Sequence, residues 1–291
     1  MKHPVKIVLC FLIISGFCLG AAAQRTDKKL TAKLQEMVQG FHGSIGLFVH
    51  DLRKDRVVAI NADTIFPTAS MVKIPILAGV MDKVVKGDLE FHQPLTYKDS
   101  LLYAGEDILG SFKADEKIEL GKLVMLMLTT SDNTASLWLQ SLAGGGTRIN
   151  EILESNGLKD TRVNSRTPGR EEARKQYGWG QTTPFEMATL IERIVKRNLI
   201  NDSSSTKMLR LLGRNYWDEH AISQVPPEVF VASKNGAVDA SRSEVLFVNG
   251  KNCSYIFCIC TKNNLDQSWT NSNEAWALTT KISRLLWEWY N

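Results

Sequence analysis

A chain of 291 residues with 44% hydrophobic and 23% charged side chains has the composition of an ordinary globular protein, not of a disordered or low-complexity one. Its net charge is +4, with Lys and Arg scattered rather than gathered into a stripe, which leaves no footprint for nucleic acid. Only Cys253, Cys258 and Cys260 follow residue 23; an odd number within one short segment excludes a disulfide framework.

Lys2 and Lys6 precede an apolar run over residues 7–19, followed by Ala21-Ala22-Ala23. This is the pattern of a secretory signal peptide cut after Ala23, with an uncleaved anchor as the alternative. Phe17 is bulky for the residue before a lipid-bearing cysteine, which sets Cys18 aside. No later stretch reaches the ~20 apolar residues of a spanning helix, so residues 24–291 read as one exported, periplasmic or secreted, monomeric domain. Leu30, Leu34 and Met37 mark a helix over 26–41, and residues 44–49 and 56–60 a strand pair. Apolar helices are expected over 74–84, 120–128 and 135–142. Gly144-Gly145-Gly146 is followed by Thr147 without a Gly-Lys-Ser/Thr, so it reads as a turn capped by Thr147 and not as a phosphate loop. Further strands are expected at 229–233, 244–248 and 254–260, with Cys258 and Cys260 as small buried hydrophobes on one face of the last. Trp276, Ile282, Leu285, Leu286 and Trp289 mark a closing helix over 273–290. Strands at both ends and helices between predict an α/β fold of the α+β type. An antiparallel sheet built from both chain ends (24–66 and 216–291) carries a helical lobe (67–215), and the active site is expected in the crevice between them.

The tetrad Ser-x-x-Lys occurs twice, as Ser70-Met71-Val72-Lys73 and as Ser204-Ser205-Thr206-Lys207. Ser204 lies in a polar run where capping of the helix that follows accounts for it. Ser70 instead follows Phe66-Pro67-Thr68-Ala69 and opens an apolar helix. One helical turn sets Lys73 beside it, and an inward-facing ammonium is costly unless it works or is paired. The positive end of the helix dipole also favours charge developing at the serine. Ser131-Asp132-Asn133 falls between two apolar helices and alone would be a capping turn. Lys234-Asn235-Gly236 follows a strand and alone would be a strand-end turn.

Together these motifs, with Thr134-Ala135 continuing the second and Thr182-Thr183-Pro184 preceding a helix, resemble the class A β-lactamases among the penicillin-recognising serine enzymes, over the whole of residues 24–291. The resemblance implies a β-lactamase/transpeptidase-like fold and a serine hydrolase of cyclic amides that forms an acyl-enzyme at Ser70. It implies Lys73 as proton acceptor, Ser131 and Lys234 as the relay to the leaving nitrogen, and Asn133 as the holder of the substrate's amide side chain. The N–H groups of Ser70 and Ala237 would form the oxyanion hole, beside Gly236. Arg242 stands near, though out of strict register with, a basic residue that faces the substrate carboxylate; an exposed strand arginine is the alternative. The implied partner is a small β-lactam or a peptidoglycan-like peptide, with neither cofactor nor metal.

Two departures stand out. Asn235 replaces the usual Thr or Ser between Lys234 and Gly236, which puts carboxylate preference in question. In the Ω-type loop, ungapped counting from Thr182 puts Thr167 where the family keeps the glutamate that activates the deacylating water, and Glu171 where it keeps a water-holding asparagine. Ser165 and Gly180 take the positions of the ion pair at the loop's neck, and Tyr177 and Trp179 are expected to stiffen the loop by packing. Glu171, with Glu172 beside it, is the nearest carboxylate to serve as a substitute base; the alternative is that both are solvated loop charges. A Ser-His-Asp hydrolase lacks its Gly-x-Ser-x-Gly, and a metallohydrolase its His-Glu-x-x-His. Besides a β-lactamase, two readings remain: a hydrolase of peptidoglycan-like peptides or esters, and a penicillin-binding protein that acylates and stalls.

Overall fold

The computed structural model describes residues 24–103 and 107–291; the signal-peptide reading of residues 1–23 and Cys18 lies outside the described residues. The central sheet has six strands in the order Arg25–Thr26, Arg56–Ile60, Ser44–Asp51, Ser254–Lys262, Ser241–Asn249, Phe230–Val238. All neighbours are antiparallel except the short first pair. The pairing of Ser44–Asp51 with Ser254–Lys262 joins the two ends of the chain, and everything between hangs from that seam.

Alternation along the strands divides the core in two. Leu47, Val49, Leu246 and Phe257 point to one face, against Leu30 and Leu34 of helix Lys28–Val38 and Ile282 and Leu286 of helix Glu274–Tyr290. Phe48, Phe247, Ile256, Cys258 and Cys260 point to the other, against the helical lobe. Cys258 and Cys260 are fully buried with their sulfurs 3.9 Å apart, the small hydrophobes their spacing predicts.

Three local differences from the sequence reading have physical causes. Lys234-Asn235-Gly236 is not a turn but the middle of strand Phe230–Val238, because Ser241–Asn249 pairs with all nine of its residues. The helix expected over 120–128 is α-helical only over Leu120–Met125; it widens into a π-turn at Leu126–Thr130 and stops at Ser131 in the left-handed region (φ 64°). Thr147 caps nothing: Gly144, at φ 93°, is the N-cap, and the helix runs Gly145–Ser155, since glycine enters the left-handed region without strain. Helix Asp202–Leu212 starts at its cap, Asn201, which exchanges backbone-to-side-chain bonds with Ser204 in a capping box, the role its polar run predicts.

Candidate active site

The Ser70 turn is fixed from both sides. Strand Phe66–Pro67 pairs with Gly180–Thr182, which also pairs with Arg162–Val163, so one small sheet ties the approach to Ser70 to both ends of the Ω-type loop. Thr68 N–H donates to Gly180 C=O at 2.9 Å. Ala69 sits at φ 44°, a strained conformation for a residue with a Cβ. A 3₁₀ turn, Ala69–Val72, carries Ser70 and feeds helix Lys73–Val85.

Lys73 is fully buried. Its Nζ lies 3.0 Å from Ser70 Oγ, 2.9 Å from Ser131 Oγ, 2.9 Å from Asn133 Oδ1 and 2.5 Å from Ser131 O. Burial, and then the charge of Lys234, hold its ammonium well below the ordinary lysine range, with Asp107 and Asp132 opposing. A neutral amine at that distance is a base for the Ser70 hydroxyl. The left-handed Ser131 is what turns both its oxygens onto Lys73. Asp132 anchors the turn from below by accepting from Ala135 N–H at 2.7 Å and Leu109 N–H at 2.8 Å, and Asp107 accepts from Asn133 and Thr134 N–H at 3.0 and 2.9 Å.

Across the cleft, Gly236 presses on the nucleophile turn. A Cβ built there would lie 2.6 Å from Thr68 O and 2.7 Å from Ser70 N, so only glycine lets the strand bring Ala237 beside the Ser70 amide. Lys234 is fully buried, which pushes its ammonium down to about 7. Its Nζ donates to Asn235 O at 2.9 Å and Asn235 Oδ1 at 3.2 Å; its bonds among the described residues go to Asn235 and not to Ser131, which Lys73 holds instead.

Arg242 differs from its sequence reading as a cation facing the substrate. It is buried, with Nη1 donating to Val238, Asp239 and Ser241 carbonyls at 3.2, 2.9 and 2.8 Å. Nη2 donates to Gln267 and Ser268 carbonyls at 3.3 and 2.8 Å, and the guanidinium stacks on Trp269. The hairpin between Phe230–Val238 and Ser241–Asn249 turns the side chain into backbone, so it braces the cleft wall from behind.

Among the described residues, the loop's neck is closed without an ion pair. Asn164 and Ser165 N–H both donate to Trp179 O, at 2.8 and 3.0 Å. Arg170 bridges Asn164 Oδ1 and Gln181 Oε1 at 3.0 and 2.6 Å, and Gln140 exchanges two bonds with Ser165. Trp179 meets Tyr103 edge-to-face at 5.1 Å and forms a wall of a cleft of about 580 Å³ beside Ser70. Thr167 faces away from that cleft: its hydroxyl donates to Ser165 O at 2.9 Å and abuts Gly146. The tentative base Glu171 is not brought to Ser70 either. It opens the exposed helix Glu171–Tyr177, accepts from Gly169 N–H at 3.1 Å and lies outside the cleft lining, while Glu172 pairs with Lys175. A helix start favours acidic residues, which accounts for both. The loop instead offers the cleft Arg174, Lys175 and Tyr177; among the described residues the only carboxylate in the lining is that of Asp239. Tyr103, Gln140, Arg170 and Asp107 went unmarked by sequence, where each is an ordinary polar or aromatic residue outside any motif.

A sheet seam and a helical lobe meeting at a Ser-x-x-Lys turn, faced by a Ser-Asp-Asn turn and a Lys-x-Gly strand, is the architecture of the penicillin-recognising serine hydrolases. The model of the β-lactamase enzyme family matches residues 29–290; the chain belongs to that family and is a serine hydrolase of it. It is 22% identical to β-lactamase VEB-1 of Pseudomonas aeruginosa, over 98% of each chain. Among solved structures, PBP-A superposes with a TM-score of 0.81 at 22% identity over 92% of this chain and 97% of its own. A β-lactamase from Sphaerobacter thermophilus gives 0.80 at 21% identity over 91% and 98%. An L158E mutant of PBP-A is known as an acyl-enzyme complex with penicillin G. No group of three or more metal-ligating side chains occurs among the described residues, and none of their helices is long and apolar enough to cross a membrane.

Proposed function

We propose that the protein is a β-lactamase whose acylation at Ser70 outpaces its deacylation. The observation that carries this is the contrast between Lys73 Nζ, 3.0 Å from Ser70 Oγ, and a loop that brings no carboxylate to the same cleft. Ser70 Oγ gives its proton to the Lys73 amine and attacks the lactam carbonyl; the Ser70 and Ala237 amides take the developing oxyanion. The C–N bond then breaks, and the nitrogen takes a proton from the Ser131 hydroxyl, which Lys73 replenishes. Lys234 and Asn235 face the substrate's polar edge, and Asn133 its amide. Water finally cleaves the ester, slowly, because a general base supplies ~10²–10⁴ of such a rate.

The test is to follow a chromogenic cephalosporin by stopped flow while measuring intact mass. A burst of one equivalent followed by slow turnover, with the adduct on Ser70, is expected; equal labelling of Ser70→Ala overturns the assignment. A parent that never releases its adduct is instead a penicillin-binding protein. Residues 24–291 are proposed to act as one exported monomeric domain after cleavage at Ala23. N-terminal sequencing that begins at Gln24, on soluble material, supports this.

A further inference from the structure

The π-turn that delivers Ser131 ends in carbonyls that its own helix does not use. A helix leaves its last C=O groups without partners of its own, and here the N–H groups that follow go elsewhere. Those of Ser131 and Asp132 turn back to Leu126 O, and those of Asn133 and Thr134 go to Asp107. The carbonyls of Thr129 and Thr130 are taken up by a segment far along the chain. Tyr216 N–H donates to Thr129 O at 3.1 Å, and the Trp217 indole N–H to Thr130 O at 3.1 Å. The same segment is fastened to the other side of the cleft. Asn215 Nδ2 donates at 2.9 Å to Oγ of the buried Ser233, the residue before Lys234, and Asn215 Oδ1 accepts from Trp217 N–H at 3.2 Å. Tyr216 and Trp217 meet edge-to-face at 5.2 Å. Residues 215–217 thus form a strap, just after helix Asp202–Leu212, that joins strand Phe230–Val238 to the Ser131 turn. They stand outside the lining of the cleft itself.

We propose that Asn215 and Trp217 are positioning residues for the proton relay. Their strap sets the spacing between the Ser131 hydroxyl, which protonates the departing lactam nitrogen, and the strand that carries Lys234 and the Ala237 amide. Ser131 sits at φ 64°, a conformation that a residue with a Cβ holds only where its surroundings impose it. Both of its oxygens are aimed at Lys73 Nζ, at 2.9 and 2.5 Å, so a small rotation of the turn takes the hydroxyl off the amine. Asp132 and Asp107 hold this turn from the helical lobe. Lys234, facing it across the cleft, bonds to Asn235 and not to Ser131. Among the described residues, the hydrogen-bonded tie from the sheet to this turn therefore runs through Ser233, Asn215 and Trp217. Proton transfer needs hydrogen-bond reach, and a misplacement of about 1 Å imposed from outside a site can cost on the order of 10²-fold in rate.

This inference rests on acylation at Ser70, so the parent is first shown by intact mass to label there. Failure at that stage sinks the functional reading; the strap is then judged by amide hydrogen exchange at Ser131 and Asp132, which should quicken in Trp217→Phe. With labelling in hand, the rate of acylation by benzylpenicillin is compared with the affinity for phenylboronic acid in the parent, Trp217→Phe, Asn215→Ala and Asn215→Asp. The boron takes the Ser70 oxygen and the serine proton passes to Lys73, but no nitrogen departs, so this adduct makes no use of the Ser131 relay. Trp217→Phe keeps the ring and loses one donor. It is expected to slow acylation about tenfold, the scale of one hydrogen bond, with boronate affinity within about twofold of the parent. Asn215→Ala loses both its bonds and should show the same split, more strongly. Asn215→Asp keeps an acceptor for Trp217 N–H and another for the Ser233 hydroxyl, so its rate should return toward the parent's. A boronate affinity that falls in step with acylation, or an acylation rate unmoved in either Trp217→Phe or Asn215→Ala, overturns the proposal and leaves residues 215–217 part of the general framework. Unchanged amide exchange at Ser131 and Asp132 does the same.

Discussion

Arg242 offers the sharpest separation between a residue that touches substrate and one that holds up the wall behind it. Its guanidinium spans five backbone carbonyls, two of them across the gap to Gln267 and Ser268. Each hydrogen bond to a charged donor contributes ~1.5–3 kcal/mol in favourable cases, but Nη1 divides two hydrogens among three acceptors, and some carbonyls freed by truncation will find water. About 4 kcal/mol is therefore a reasonable loss for Arg242→Ala, a large part of a typical 5–15 kcal/mol total. At ~2–4 °C per kcal/mol for a domain of this size, Tm should fall by roughly 8–16 °C. The companion assay compares acylation by a penicillin and by its methyl ester. A brace has no partner in the substrate carboxylate, so the ratio of the two rates should match the parent even where both rates drop. Arg242→Gln, which keeps part of the bonding, guards against outright misfolding. The reasoning is refuted if preference for the free acid collapses tenfold or more while Tm stays put.

Lys73→Ala should slow acylation by ~10²–10⁴, whereas Lys207→Ala, which removes a cation from above the Phe91 ring, should leave labelling kinetics close to the parent's. Glu171→Gln should release its acyl group at the parental rate, since the carboxylate stands outside the cleft; accumulation of adduct in that variant alone would restore it as the base. Thr167→Glu should not speed release, because position 167 faces Gly146. His50, buried between Glu192 at 2.8 Å and Asp55 at 2.9 Å, should make stability depend on pH. Burial opposes its protonation, but the bonds to Glu192 and Asp55 prevail and raise it above the ordinary histidine value of 6.5; the bonds from His50 and Lys196 likewise lower Glu192 from the ordinary 4.5 to about 2 despite burial. The raised histidine stabilises fully below 6.5 and loses that as pH climbs through its folded value, while the depressed glutamate stabilises fully above 4.5 and loses that toward 2. Thermal melts of His50→Gln should thus differ most from the parent between about pH 4.5 and 6.5, by on the order of 2 kcal/mol, and converge in alkali.

The motifs, their order and the two-ended sheet were legible because each rests on short-range rules: a helical turn puts Lys73 beside Ser70, and period-two alternation marks the strands. The placements of Arg242 and Glu171, each left between two readings, were not legible for a common reason. A basic residue on a strand near the site and an acid in a loop near the site satisfy sequence proximity, yet a hairpin twist sends the one into backbone and a helix start holds the other in solvent. The neck formed by Asn164, Gln140 and Arg170 was invisible, since the bonds between Gln140 and Ser165 span 25 positions and those of Arg170 to Asn164 and Gln181 depend on side-chain amides that leave no periodic trace.

The seam between Ser44–Asp51 and Ser254–Lys262 bears on the order in which the molecule comes together. A chain delivered from its N-terminus presents Ser70 and Lys73 long before the strand bearing Gly236, and that strand has no neighbour in the sheet until Ser241–Asn249 and then Ser254–Lys262 arrive. Such long-range closure is slow. The nucleophile turn therefore stays unformed, and chemically idle, until the last strands have docked, so reactivity is the final property the chain acquires.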